Sequence, residues 1–129
     1  MKQKYIVGDV VMYHNKIMVV KEPRDGSHFD LSSPKEGLVY DLVDIEEMKP
    51  VRLTPEILEK NGWRTQNRWY YYLDVAEGFI SYIGIDFKHK SNKGHLYVEV
   101  DGNNMGEIQY CHELQHFLFG LGINHEMEV

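Results

Sequence analysis

The chain has 129 residues and a mass of 15.2 kDa, the size of one domain or of two very small ones that share a core. Hydrophobic residues make up 43% and charged residues 26%, values near the globular average that exclude wholesale disorder. Fourteen basic against twenty acidic residues give a net charge of −6, which argues against a protein that mainly coats nucleic-acid phosphates. The single cysteine excludes an internal disulfide and fits a reducing compartment.

The sequence contains neither of two apolar patterns that direct a protein to or across a membrane. Residues 1–16 do not contain the long apolar core of a signal peptide, and no 18-residue apolar run suits a membrane span. We therefore expect a cytoplasmic location and no membrane partner. Nine tyrosines and seven histidines are the unusual part of the composition.

The first third of the chain reads as short strands with tight turns. Val10–Tyr13 and the run Ile17–Val20 flank Asn15-Lys16, which predicts a hairpin. Residues 22–37 are rich in Pro, Gly, Ser and Asp, so we predict a long exposed loop there. The alternation from Leu38 predicts a further strand that runs toward Ile45. Together these elements suggest a small, bent, SH3-like sheet.

A short helix is predicted over residues 53–63. Thr54 is a good N-cap, and Pro55 suits the first helical position, where its missing N–H costs nothing. Asn61-Gly62 supplies a left-handed stop, after which Trp63 can fold back onto the last turn. We expect this helix to join the first sheet to a second one.

Strands return from Arg68 to Asp74, with Trp69, Tyr71 and Leu73 on one face and Tyr70 and Tyr72 on the other. Residues 79–87 and 95–100 predict a hairpin with a basic tip, and residues 101–104 predict a turn.

The last predicted element is a helix from Gly106 to Leu121, whose apolar residues recur at three- and four-residue steps. We therefore predict an α+β protein in which an antiparallel meander is closed by a C-terminal helix. The expected division is an SH3-like β subdomain over residues 1–49 and an α+β subdomain over residues 50–129, with one compact unit as the alternative.

Residues His112 to His116 match the pattern H-E-x-x-H of zinc metallopeptidases. That spacing places two imidazoles one turn apart on a helix, with Glu113 able to deprotonate a zinc-bound water. The alternative hypothesis is therefore a small zinc hydrolase in which His112 and His116 bind the metal and Glu113 is catalytic.

Two observations argue against zinc chemistry. His112 and His116 fall almost opposite the apolar stripe of the predicted helix, so both are expected to face solvent or a partner. The third ligand of the metzincin pattern would fall at Gly122, and only thirteen residues follow His116. His125, Glu126 and Glu128 would have to fold back to complete a site. We therefore assign no catalytic or metal-binding residue and no cofactor.

Two segments of the chain carry a family resemblance. They are Leu53–Trp63 and a C-terminal signature formed by Tyr110, His112, Leu114, Gln115 and the tail from Glu126 to Val129. A Gly-led strand at Val7–Val11 accompanies them. The pattern resembles a family of small uncharacterised proteins encoded in phages, prophages and other mobile elements of Bacteroidetes-type gut bacteria.

The resemblance covers about a third of the chain. In that family the positions of Glu113 and His116 tolerate Gln and Asn, and neither replacement would preserve a zinc site. The resemblance therefore implies a structural helix signature, and it carries no activity to this chain.

Three functional hypotheses follow. The leading one is a non-enzymatic accessory or interaction protein of mobile-element origin that binds a protein through its aromatic strands and its histidine-bearing helix face. The zinc hydrolase is the second. The third is a single-stranded nucleic-acid module that uses the strand from Arg64 to Tyr72 and the basic loop 88–93, although nucleic acid is not the expected partner. The sequence does not indicate the oligomeric state.

Overall fold

The computed structural model describes residues 4–33, 35–87 and 96–129. The described chain is α+β, with two antiparallel sheets and a helix near the C-terminus. It divides into two compact units: the first contains Met1–Arg52, Tyr110–Met127 and Val129, and the second contains Leu53–Gln109 and Glu128. Within the described ranges, no helix has both the length and the apolar character needed to span a membrane.

The first unit is built on a sheet of five strands in the order β4-β3-β2-β1-β5. The strands are β1 Val10–Tyr13, β2 Lys16–Pro23, β3 His28–Ser33, β4 Leu38–Asp44 and β5 Lys49–Pro50. A 3₁₀ turn, Ile45–Glu47, links β4 to β5. Among the described residues this sheet is open, with β4 and β5 as its edges, so the SH3-like barrel stays a prediction.

The predicted hairpin of β1 and β2 is confirmed, with Tyr13 paired to Lys16. The turn is His14-Asn15, one residue earlier than expected. Both residues have positive φ angles, 51° and 62°, as the tight turns that match strand twist require. Asn tolerates this conformation better than Lys does, so the hairpin closes before Lys16.

The predicted exposed loop over residues 22–37 is wrong. β3 occupies the middle of this segment and buries Phe29 and Leu31 on either side of Asp30. Asp25 makes the reversal before β3 by accepting hydrogen bonds from the backbone N–H groups of Ser27 and His28. Turn-forming residues dominate the composition of the segment, and their frequency masks a short strand between two turns.

The core of the first unit lies on one side of this sheet. Its fully or nearly buried members are Tyr5, Val11, Met18, Val20, Phe29, Leu31, Val43 and Met48. The C-terminal helix, α2 Cys111–Gly120, belongs to the same unit. It is attached at its start, where the backbone N–H of Cys111 donates to the carbonyl of Val51 at 2.8 Å. The observed units thus place α2 with the N-terminal sheet, whereas the expected division placed it with residues 50–129.

The second unit begins with α1, Pro55–Lys60. The predicted capping is confirmed: the Thr54 hydroxyl accepts a hydrogen bond from the backbone N–H of Ile57, and Pro55 opens the helix. Gly62 has a φ of 87°, and the N–H of Trp63 donates to the carbonyl of Leu58. These contacts close the helix as the sequence predicts.

The second sheet is an antiparallel meander in the order β10-β9-β8-β7-β6. Its strands are β6 Arg64–Thr65, β7 Tyr70–Glu77, β8 Ile80–Asp86, β9 Leu96–Val100 and β10 Asn103–Ile108. The predicted pairing of β8 with β9 is confirmed, while the basic loop 88–93 lies outside the described residues. Helix α2 starts five residues later than predicted because Gly106–Ile108 complete β10.

Candidate functional site

The H-E-x-x-H segment lies on α2, as predicted, but its first histidine does not face solvent. His112 is only 5% exposed. Its ring packs edge-on against Tyr5, with 5.0 Å between ring centroids, and stacks on Tyr110 at 5.9 Å. The expectation that both histidines face outward is therefore wrong for His112, because the N-terminal segment covers this side of the helix.

His116 is half-buried and contacts the same N-terminal segment. Its Nε2 atom lies 2.6 Å from Oδ2 of Asp9, a carboxylate with no exposed surface. The same Oδ2 accepts a hydrogen bond from the backbone N–H of Ile6 at 2.8 Å. His116 is thus held against a buried acid of the N-terminal segment, while part of its side chain stays exposed.

Burial perturbs the pKa values in this cluster. Loss of hydration lowers the pKa of His112 to about 4, and the neighbouring His116 and Lys4 act in the same direction, whereas Glu113 opposes them. Burial also raises the pKa of Asp9, partly offset by its hydrogen bonds to Ile6 and His116. His112 is therefore a neutral ring near pH 7.

Glu113 has a structural role that a catalytic base would not have. Its carboxylate accepts a hydrogen bond from the backbone N–H of Tyr110 at 3.0 Å and so caps the start of α2. Throughout the described ranges, no group of three or more His, Cys, Asp and Glu side chains is placed to hold a metal ion. Among the described residues, His112 is packed between Tyr5 and Tyr110, His116 contacts Asp9 and Glu113 caps α2, which is not the arrangement of the zinc site in the alternative hypothesis.

Gln115 is a buried residue of α2, and the sequence did not predict its hydrogen bonds. Its Oε1 accepts from the backbone N–H of Val10 at 2.9 Å, and its Nε2 donates to the carbonyls of Gly8 and His125 at 2.8 and 2.9 Å. The amide thus joins β1, α2 and the C-terminal tail. A polar residue beside an apolar stripe gives no local signal for such contacts, since its partners lie far away in sequence.

Cys111 packs as an apolar residue of α2. It has no exposed surface, and burial raises the pKa of its thiol to about 12. A thiol with that pKa carries almost no thiolate near pH 7, so it does not act as a nucleophile.

The second unit presents a different kind of surface. Cross-strand register places side chains of β7, β8 and β9 on the same side of the sheet, opposite the buried Tyr71, Ile83 and Ile85. We call this side the tyrosine face, and its members are Tyr70, Tyr72, Asp74, Tyr82, Gly84, Asp86, Tyr97 and Glu99.

A concavity of about 310 Å³ opens on the tyrosine face. It is lined by Gln66, Asn67, Tyr70, Tyr72, Asp74 and Tyr82. Aromatic walls with a few amide and carboxylate groups are typical of binding sites, because the rings supply area and the polar groups fix orientation.

Gly84 allows Tyr70 to lie flat against the sheet. A Cβ atom at position 84 would stand 2.0 Å from the Tyr70 hydroxyl oxygen, so any larger residue would displace the ring. In this position the Tyr70 hydroxyl donates to Glu99 at 2.9 Å. Burial and the Glu99 carboxylate raise the pKa of Tyr70 well above its usual range.

Arg64 contacts two of the residues that line this concavity, Tyr72 and Asp74. Its guanidinium lies over the Tyr72 ring, 5.2 Å from the centroid, and forms an ion pair with Asp74. Arg64 is the only basic residue in the five strands of this sheet. Carboxylates at Asp74, Asp86, Glu99 and Glu107 accompany it, with Glu107 paired across from Tyr97.

The structure brings together only part of the predicted nucleic-acid surface. Tyr70 and Tyr72 of the Arg64–Tyr72 segment line the concavity, whereas Tyr71 is buried on the opposite side of the sheet. Arg64 is paired with the Asp74 carboxylate. Comparison with protein-family models, with curated proteins and with solved structures gave no match. The resemblance to mobile-element proteins therefore stays a prediction.

Proposed function

We propose that this chain is a non-enzymatic interaction module, of mobile-element origin, that binds a protein partner through its tyrosine face. The observation that carries the proposal is the concavity lined by Tyr70, Tyr72 and Tyr82. Tyrosine is enriched at protein interfaces because it combines a large apolar ring with a hydroxyl that accepts and donates hydrogen bonds.

The state of the H-E-x-x-H residues supports a role without catalysis. His112 is buried against two tyrosines, and Glu113 is used as a helix cap. His116 faces a buried carboxylate. Each side chain that a hydrolase would need has a structural contact, so the helix contributes stability to the first unit.

The same contacts change which surface is proposed for binding. The histidine-bearing side of α2 was one of two expected interaction surfaces, and Tyr5 and Asp9 cover much of it. The aromatic strands remain, since Tyr70, Tyr72 and Tyr82 are each partly exposed. We therefore assign binding to the second unit.

Affinity capture with matched variants tests this proposal. The wild-type chain, the double variant Tyr72→Ala/Tyr82→Ala and the control Phe119→Ala are used as baits in lysate of the native host, with far-ultraviolet circular dichroism to check folding. Phe119 is 59% exposed and lies in the first unit, so its loss removes a similar ring elsewhere. We expect a defined protein that the wild type and the control retain and the double variant loses.

Two results would contradict the proposal. One is a partner that the double variant retains as well as the wild type does. The other is retention on single-stranded DNA that weakens with salt and disappears in Arg64→Ala/Arg68→Ala, since this behaviour is that of a phosphate-binding surface.

A further inference from the structure

We infer that the tyrosine face contains a guanidinium subsite, formed by Tyr72 and Asp74, which receives an arginine of the partner and which Arg64 occupies in the free protein. The inference rests on the proposed function and specifies the ligand of the same surface. Arg64 then competes with the arginine of the partner for the same subsite.

The geometry around Arg64 is the basis of the inference. Its guanidinium carbon lies 5.2 Å from the centroid of the Tyr72 ring while the group also pairs with the Asp74 carboxylate. A planar cation that stacks on an aromatic face and meets a carboxylate at its edge is the arrangement that suits arginine better than lysine. Tyr72 and Asp74 are therefore already matched to a guanidinium.

The internal arginine is placed to exchange with an external one. The side chains of Arg64 and Asp74 are 64% and 56% exposed, and ion pairs at that exposure are weak because water competes for both groups. Arg64 also lies on β6, a strand of only two residues at the edge of the sheet. A partner that adds contacts with the concavity can displace it without disturbing a buried group.

The charge of the tyrosine face fits a cationic partner. When Arg64 leaves the subsite, the face presents the carboxylates of Asp74, Asp86 and Glu99 beside its tyrosines, and the five strands contain no other basic residue. The whole chain has a net charge of −6, so long-range attraction favours a basic segment as well.

Internal competition makes a distinctive prediction. Removing Arg64 should strengthen the binding of an arginine ligand, because the subsite is then vacant. For a nucleic acid or another anionic ligand, removing the same cation should weaken binding. The direction of the change therefore separates the two classes of ligand.

The test uses fluorescence anisotropy with a labelled pentapeptide, Gly-Ser-Arg-Ser-Gly, at low salt, together with versions that carry lysine or citrulline in place of arginine. The proteins are the wild type, Arg64→Ala, Arg64→Ala/Asp74→Asn and Arg68→Ala, each checked for folding by circular dichroism. Arg68 is the matched control, since its loss changes the net charge equally but leaves the subsite occupied. The charge of Arg68 acts on Tyr71, whose side chain is on the buried side of β7, opposite the tyrosine face that contains the subsite.

We expect Arg64→Ala to bind the arginine peptide about three- to tenfold more tightly than the wild type, and Asp74→Asn to remove that gain. The affinity of the lysine peptide should increase less on the change Arg64→Ala. The affinity of the citrulline peptide, which has the same shape without the charge, should not increase. The Arg68→Ala protein should bind like the wild type.

Unchanged or weaker binding by Arg64→Ala would overturn the guanidinium subsite, as would an equal gain in Arg68→Ala or with citrulline. A negative result for the guanidinium subsite can be distinguished from a negative result for the proposed function. If Tyr72→Ala/Tyr82→Ala still loses its captured partner, the interaction module stands without the subsite.

Discussion

Nε2 of His116 lies 2.6 Å from Oδ2 of Asp9, although the two residues are 107 positions apart in the sequence. Asp9 has no exposed surface, and a carboxylate that leaves water must be compensated by hydrogen bonds or by opposite charge. The backbone N–H of Ile6 supplies one hydrogen bond, and the imidazole of His116 supplies the other contact. The pair therefore attaches the segment before β1 to helix α2.

A double-mutant cycle should measure this coupling. Replacing His116 with Ala leaves the buried Asp9 with one partner fewer, so we expect the free energy of unfolding to fall by about 1–3 kcal/mol. In the background Asp9→Asn, which has no charge to compensate, the same substitution should cost clearly less. The measurement is urea unfolding at pH 7, and equal costs in the two backgrounds would show that the pair is not coupled.

His112 should make the protein sensitive to mild acid. The folded pKa of about 4 lies below the ordinary value of 6.5, so the unfolded chain takes up a proton first as the pH falls. This contribution to stability is complete above pH 6.5 and is lost as the pH falls toward 4, up to about 3 kcal/mol in total. The raised pKa of Asp9 acts in the opposite direction, in the range above pH 3.8.

The variant His112→Phe isolates this effect. Phe preserves the ring between Tyr5 and Tyr110, and within the described residues Nδ1 of His112 has no hydrogen-bond partner to lose. We expect the variant to be as stable as the wild type at pH 7, within about 1 kcal/mol, and to keep more of its stability from pH 6.5 to pH 4. Parallel pH profiles in urea unfolding would refute the assignment.

Gln115 should be among the least replaceable residues of α2. Gln115→Glu exchanges the Nε2 donor, which serves the carbonyls of Gly8 and His125, for a carboxylate oxygen that repels both. We expect a loss of about 2–4 kcal/mol at pH 7 and faster hydrogen exchange near Val10. The same substitution at the exposed Gln66 serves as the control and should change stability by less than about 0.5 kcal/mol.

Gly84→Ala should disturb the tyrosine face through Tyr70. The new Cβ would overlap the Tyr70 ring, so the ring must move and its hydrogen bond to Glu99 must break. We expect a loss of about 1–3 kcal/mol and a spectroscopic pKa of Tyr70 closer to its ordinary value. In the background Tyr70→Ala the same substitution should cost little, and a cost that persists there would place the clash elsewhere.

Local sequence signals were enough to predict several elements. Thr54, Pro55 and Asn61-Gly62 define α1 because capping acts between residues three or four positions apart. The alternation in β7 predicted that Tyr71 lies on one face and that Tyr70 and Tyr72 share the other, and Tyr71 is buried while Tyr70 and Tyr72 are partly exposed. The short strand β3 was missed because neighbouring turn residues outweighed the pair Phe29 and Leu31.

The sequence and the tertiary structure each explain part of the excess of tyrosine and histidine in the composition. The sequence by itself determined the α+β class, the placement of His112 and His116 on one helix and the aromatic strands of the second sheet, since these depend on periodicity. Only the tertiary structure decided that His112 is buried and that His116 meets Asp9. Periodicity counts the apolar residues of a helix, whereas burial depends on what covers it, and here Tyr5 and Asp9 lie more than a hundred residues away.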